Sequence, residues 1–315
     1  MALEQSGPAQ VVLTASIARR FYLDGRSKLE IADEFGLSRF KVARLLDAAR
    51  ESGMVRIEIR HQGEIDVDLS ARFRDRFGLQ HAIVVDTPED DTASLRDHLG
   101  RAAARLLAEI LTPEDVLGLA WARAVGAMAR ELPALPRTPV IQLSGALSFP
   151  GDPDTSVDVV RDVAARSGGA ANVFYAPLVV PDAATASALR RQPEIARAFS
   201  QLPSVTKAVG GVGLWEAGQS TLYDTSSEQD RRALRKQGVC ADISGVFLSA
   251  DGDVVQTRLA ERMIAISAEE MRGIPEVIVI PYGTAKEPAV RAALRSGLVG
   301  GIVTHTTLAR AVLED

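Results

Sequence analysis

At 315 residues, 46% apolar and 24% charged, the chain has the length of two domains and the composition of an ordinary globular protein. No apolar run is long enough for a membrane span, residues 1–12 lack the pattern of a signal peptide, and Cys240 is the only cysteine. An intrachain disulfide and a cysteine-cluster metal site are therefore excluded, a cytoplasmic location is expected, and the net charge of −5 speaks against a general polyanion binder.

The charge is unevenly spread. Residues 1–60 hold ten Lys/Arg against eight Asp/Glu, and the rest hold 26 against 33. Residues 12–23 carry Leu13, Ile17 and Phe21 at helical spacing, and Asp24-Gly25-Arg26 closes that first helix. Ser27 and Glu30 stand three apart, as in a capping box, so a second helix is expected to start at Lys28. Ile31, Ala32 and Phe35 form its apolar face, and Gly36 suits the left-handed residue that ends a helix. Ser38 caps a third helix whose core face is Val42, Leu45, Leu46 and Ala49.

Opposite that face lie Phe40 and Arg44, flanked by Lys41. An aromatic and cations on the solvent side of a helix's first turns suit a DNA groove. Arg44 can pair with a guanine edge, Phe40 can touch a thymine methyl, and Lys41 or Arg39 can hold phosphate; Lys28 and Ser38 complete the candidate DNA-binding set. Residues 54–60 alternate with period two, as the strand of a wing does. The expectation for 1–60 is a winged helix-turn-helix that binds double-stranded DNA. Its small basic excess requires several modules pooled in a homodimer or homotetramer.

Residues 61–80 read as a linker and connector helix, with the helix over 65–77 and apolar positions at Val67, Leu69, Phe73 and Phe77. From residue 81 onward, short β-branched runs alternate with helices. Strands are expected over 82–85, 116–120, 140–143, 173–176, 208–212, 243–248, 277–280 and 302–304. Helices are expected over 95–111, 123–131, 157–166, 193–202 and 288–295. This alternation predicts an α/β domain over 81–315 with a doubly wound, mostly parallel, Rossmann-like sheet.

In such sheets ligands bind beyond the carboxyl ends of the strands. Trp121 and Arg123 leave the second expected strand, Gly145 the third, Gly211 the fifth, Gly283 and Lys286 the seventh and His305 the last. Glycines there let backbone N–H groups approach an anion, and Arg123, Arg258 and Lys286 add positive charge. Asp242 can accept from sugar hydroxyls. Lys286 could in principle form a Schiff base with a carbonyl if its amine were desolvated. The four histidines (His61, His81, His98 and His305) have no metal-ligand spacing, and no nucleophile elbow or P-loop occurs. No cofactor, metal or catalytic residue is expected.

The blocks EIADEFGLSRFKVARLLDAARESGMVRIEI, VLGLAWARAV, VIQLSGAL, YAPLVV, AVGGVG, GVCADISGVFLSADGDVVQTR and VIVIPYGTAKEPAVRAALRSGLVGGIVT share a pattern. In these the chain resembles the SorC-type (SorC/DeoR) sugar-binding bacterial transcriptional regulators, from about residue 15 to 313. The resemblance implies a sugar-phosphate-isomerase-like effector domain, control of a carbohydrate catabolic operon, and a sugar, polyol or sugar-phosphate effector. It places Trp121 and Arg123 in the loop that meets phosphate, and Gly145, Asp242, Arg258, Gly283 and Lys286 in matching blocks. Ala122 and Ala124 stand where the family often has glycine and threonine, and His305 stands where it has aspartate. Two other functions fit the sequence: an isomerase- or deaminase-like enzyme with an accessory DNA-binding domain, and an architectural DNA binder with a degenerate pocket.

Overall fold

Two apolar cores on opposite faces of one sheet explain most of the larger unit. The structure is a computed structural model and describes residues 7–56, 64–87, 91–147 and 155–314. Its contacts divide the chain into two units, Met1–Arg60 and His61–Asp315.

The first unit has three described helices, α1 (Pro8–Tyr22), α2 (Lys28–Phe35) and α3 (Arg39–Glu51). The capping box of α2 is complete: Glu30 N donates to Ser27 Oγ at 3.3 Å and Ser27 N donates to Glu30 Oε2 at 2.8 Å. Gly36 ends α2 at φ +64°, a conformation that costs glycine little. Ile17, Ile31, Ala32, Val42, Leu46 and Ala49 make the core. Arg20 and Arg26 both reach Glu34 at 2.9 Å, bracing the last turn of α2 against α1 and the loop between them. Residues 54–56 of the expected wing are not strand; Val55 packs instead against the helical core. Residues 57–60, the rest of that run, lie outside the described residues.

In the second unit α4 (Val67–Phe77) starts on an Asp66 cap, 2.9 Å from Leu69 N, and ends at Gly78 with φ +64°. Its Leu69 and Phe73 are buried in the main core, so the expected connector helix belongs to this unit's packing. The elements that follow are β1 (His81–Val85), α5 (Thr92–Ile110), β2 (Leu117–Leu119), α6 (Arg123–Glu131), β3 (Val140–Gln142), α7 (Ser156–Ser167) and β4 (Ala171–Asn172). Then come α8 (Ala183–Arg190), α9 (Pro193–Phe199), β5 (Lys207–Gly210), β6 (Val212–Leu214), α10 (Thr221–Thr225) and α11 (Glu228–Lys236). The chain closes with β7 (Val239–Ile243), β8 (Val246–Ser249), α12 (Ala268–Arg272), β9 (Glu276–Val279), α13 (Glu287–Arg295), β10 (Gly301–His305) and α14 (Thr306–Leu313).

Seven strands pair in parallel in the order β1-β10-β9-β5-β2-β3-β4. Alternate residues feed opposite cores. Ala208, Val277 and Ile302 face one core with α4, α13 and α14, while Val209, Ile278 and Val303 face the other with α5, α6 and α7. This two-sided burial gives the continuous β-branched runs seen in the sequence. The strand order reverses between β2 and β5, which opens a crevice beyond their carboxyl ends.

Two expected strands are corrected. The run 243–248 is not one strand but the turn and flanks of the β7–β8 hairpin. Ser244 (φ +53°) and Gly245 (φ +95°) form its two-residue loop, with positive φ at both positions as a type I′ turn requires. With β6 this hairpin makes a separate three-stranded antiparallel sheet. The strand expected over 173–176 pairs only at 171–172, because Phe174 and Ala176 turn into a satellite core with Ile195, Ala198 and Ile264.

At the opposite end of the sheet, Asp115 accepts from Lys207 Nζ (2.8 Å), Thr206 Oγ1 (2.7 Å) and Thr112 N (2.9 Å). Burial alone would raise this carboxyl, but those donors outweigh it and hold it at about 2. Its stabilising effect is present above the ordinary carboxylate pKa and fades as pH falls toward the folded value. Asp115→Asn is expected to cost on the order of 2 kcal/mol in urea unfolding at pH 7. The gap from wild type should close as pH falls from about 4 toward 2.

Candidate functional site

A cavity of about 330 Å³ lies at the carboxyl ends of β2, β3, β5 and β9, closed on one side by the small sheet. A volume of this order suits a small metabolite. Trp121 and Arg123 reach it from the β2–α6 turn, Ser144 from the end of β3 and Gly211 from the end of β5. Asp242 comes from β7, Ser220 from the cap of α10, and Tyr282, Gly283 and Lys286 from the turn after β9.

Asp242 and Lys286 dominate the electrostatics. Asp242 is 8% exposed, and its Oδ1 accepts from Ser220 Oγ at 2.7 Å. Burial pushes this carboxyl up, against the pull of Ser220, Lys286 and the Gly245 N–H. Lys286 is 9% exposed; its Nζ donates to Val212 O at 2.9 Å and lies 4.7 Å from the centre of the Tyr282 ring. Burial lowers the amine to about 8, Arg123 pushes the same way, and Asp242 opposes both. The space for the carboxylate is cut by Gly213, the register partner of Asp242, where a Cβ would collide with Asp242 Oδ1 and with Ser220.

The strand-end turns set the walls. Gly283 adopts φ +87° and leads through a single 3₁₀ turn (Thr284–Lys286) into α13. Ala122 is the N-cap of α6 and supplies no side-chain cap. The Ala122 methyl sits where Gly211 leaves room: a Cβ on Gly211 would lie 2.8 Å from it. The alanine at 122 and the glycine at 211 are thus sterically matched.

The fold brings Trp121, Arg123, Gly211, Asp242, Gly283 and Lys286 to one cavity. Three other sequence candidates sit elsewhere. Gly145 lies where the chain after β3 passes the 176–177 backbone; a Cβ would fall 2.6 Å from the Pro177 carbonyl oxygen, so glycine serves close packing. Arg258 is exposed on the turn after β8. His305 is fully buried at the end of β10, where its Nε2 accepts from Gly283 N at 3.2 Å and supports the turn that carries Lys286. Sequence reasoning missed Ser220. Its signal was a helix cap in a loop, and its second role appears only when β6 and β7 pair.

On the DNA-binding candidate surface, Arg39, Phe40, Lys41 and Arg44 are exposed on one side of α3, with Phe40 82% accessible. Ser38 Oγ is occupied in capping α3, accepting from Lys41 N at 3.2 Å. Lys28 is half-buried, with its amine 5.7 Å from the centre of the Phe21 ring. Among the described residues no helix is long and apolar enough to cross a membrane, and no cluster of three metal-ligating side chains occurs.

Residues 62–314 match the family described as "Putative sugar-binding domain". The chain is 29% identical over 309 residues to the transcriptional regulator LsrR of Klebsiella pneumoniae subsp. pneumoniae, covering 97% of this chain and 94% of that one. It resembles the solved structure of a DeoR family transcriptional regulator from Listeria monocytogenes (TM-score 0.71, 28% identity, 78% of this chain and 98% of that one). The full-length sorbitol operon regulator SorC from Klebsiella pneumoniae has the same fold (TM-score 0.74, 23% identity, 96% and 99% covered).

The match between positions 122 and 211 is testable. Gly211→Ala is expected to lower stability by about 1–3 kcal/mol through overpacking. Ala122→Gly in the same chain should restore most of that loss, measured as a double-mutant cycle by chemical denaturation.

Proposed function

The chain belongs to the sugar-binding family of SorC-type transcriptional regulators, and from that membership we propose that its cavity senses a sugar, polyol or sugar phosphate that changes the grip of the helix-turn-helix on operator DNA. The observation that carries this reading is the gathering of Arg123, Ser220, Asp242 and Lys286 around one strand-end cavity. Cations beside a carboxyl and a hydroxyl suit a ligand with several hydroxyls and an acidic or carbonyl group. The operon it controls is read as one for carbohydrate catabolism. The protein is a sensor in this reading and not an enzyme: its buried groups bind and orient the effector.

The DNA end of the mechanism rests on α3. Arg44 reads a base edge, Phe40 meets an apolar base edge, and Arg39 and Lys41 hold phosphates, with Lys28 and the start of α3 at Ser38 alongside. A module with a net excess of two basic residues over 1–60 gains affinity by duplication, so the working form is a homodimer or homotetramer. Effector binding shifts the population between assemblies with different half-site spacing.

Two outcomes follow. In a thermal-shift screen of sugars, polyols and their phosphates, an effector at about a hundred times its Kd should raise Tm by about 5 °C or more, and Lys286→Ala should abolish the rise. A screen with no rise for any of them would contradict the reading. Arg44→Ala should lose on the order of 1–3 kcal/mol of discrimination between operator and unrelated DNA while its unfolding is unchanged. Unchanged discrimination in a folded variant would remove Arg44 from base recognition.

A further inference from the structure

We infer that the effector is amphiphilic: it carries a polyhydroxylated head, held at the charged end of the strand-end cavity, and an apolar substituent (methyl, alkyl or aryl), held at the other end. The inference rests on the reading of that cavity as the effector site and names the class of compound it takes. What leads to it is the order in which the sheet delivers side chains to the cavity wall.

From the middle of the sheet to one edge the strands run β9-β5-β2-β3-β4. The turn after β9 brings Lys286, the turn after β2 brings Arg123, and Asp242 stands on β7 of the small sheet. Among the described residues these are the charged groups in the wall, and the charges of Arg123 and Asp242 both act on Lys286, so the three form one cluster. The Val212 carbonyl at 2.9 Å and the face of Tyr282 at 4.7 Å suit an ammonium on Lys286. An oxygen-rich or acidic head fits this end.

The wall beyond β3 and β4 is of another kind. Their chains part after Ile141 and Asn172 and then pair once more. Ala146 N donates to Ala176 O and Leu178 N donates to Ala146 O, both at 2.8 Å. Ala146 and Pro177 are parallel partners there, so Leu147 and Leu178 follow in step, each one residue further out. Leu222 arrives from α10, two residues past Ser220. Leu178 and Leu222 belong to one apolar cluster, Leu147 packs against it, and all three line the cavity. Ser144, between β3 and these leucines, has its Oγ engaged as acceptor for the Trp121 N–H at 3.4 Å. β9 and β3 lie three strands apart in the sheet order, about 14 Å at the usual interstrand spacing.

A hydroxyl pressed against the leucines would lose water and find no partner, whereas a methyl or ring there leaves water at a gain. A ligand that spans the cavity from Lys286 to Leu147 therefore gains at both ends only if it is polar at one and apolar at the other.

The test titrates the full chain by thermal shift with D-glucose, D-galactose and D-mannose, free and as 6-phosphates. Each is compared with its methyl and phenyl glycosides, and each free sugar also with its 6-deoxy form. For the sugars that bind, a methyl glycoside or 6-deoxy form should bind about fourfold tighter than its parent and a phenyl glycoside at least roughly tenfold tighter. Leu147 is half-buried, so Leu147→Gln should fold as the wild type does, keep the affinity for the parent sugar and lose most of the gain. If that variant does not fold, the wild-type comparison decides alone. Parent and substituted sugars that bind equally, both lost in Lys286→Ala, overturn the inference and leave the effector site standing. A gain that survives in folded Leu147→Gln also overturns it, because the substituent then lies elsewhere. No binding by any member of the panel removes both the inference and the reading beneath it.

Discussion

A parallel sheet covered on both faces has nowhere to put polar chemistry except at its strand ends. Val209, Ile278 and Val303 pack into one core while Ala208, Val277 and Ile302 pack into the other, so every central strand is closed above and below. The backbone groups after the last paired residue of β2, β5 and β9 are then the first free to meet a ligand. The reversal of strand order between β2 and β5 widens that edge into the cavity. The small antiparallel sheet completes it by carrying Asp242 to the other side.

Desolvation is the cost of this arrangement. A lysine and a carboxyl that are each nine-tenths buried lose more hydration than their mutual attraction returns, which is why both are displaced toward their neutral forms. On the proposed reading, a polyhydroxylated effector would replace the missing water with fixed hydrogen bonds, and the pair would stabilise the liganded form more than the empty one. The turn that presents Lys286 is in turn held by His305, buried beneath Gly283. Of the three positions that depart from the family pattern, Ala122 and Ala124 line the cavity, whereas His305 supports the turn from beneath and does not line it.

Much of this was legible in the sequence because it follows local rules. Ser27, Glu30, Gly36 and Ser38 mark helix ends through caps that depend on neighbours three or four residues away, and the structure forms each of them. Glycine and charge after β-branched runs located the cavity edge. The hairpin turn at Ser244-Gly245 was hidden because apolar residues flank it on both sides and give one unbroken run. Gly145 and His305 were less legible. One is fixed by the approach of Pro177 and the other by a bond to Gly283, and both partners are distant in the chain. Ser220 became a cavity residue only through the pairing of β6 with β7, which no local pattern encodes.

On the proposed function, occupancy of the cavity and the grip on DNA share one free energy. The direct measurement is the affinity of the full chain for an operator fragment, by fluorescence anisotropy, with and without a ligand that the thermal-shift screen finds, together with the ligand's affinity with and without the fragment. DNA affinity should change by about 5- to 150-fold and ligand affinity by the same factor, because linkage is reciprocal. A ligand that fills the cavity and loses its binding on Lys286→Ala, yet leaves DNA affinity unmoved, would contradict it.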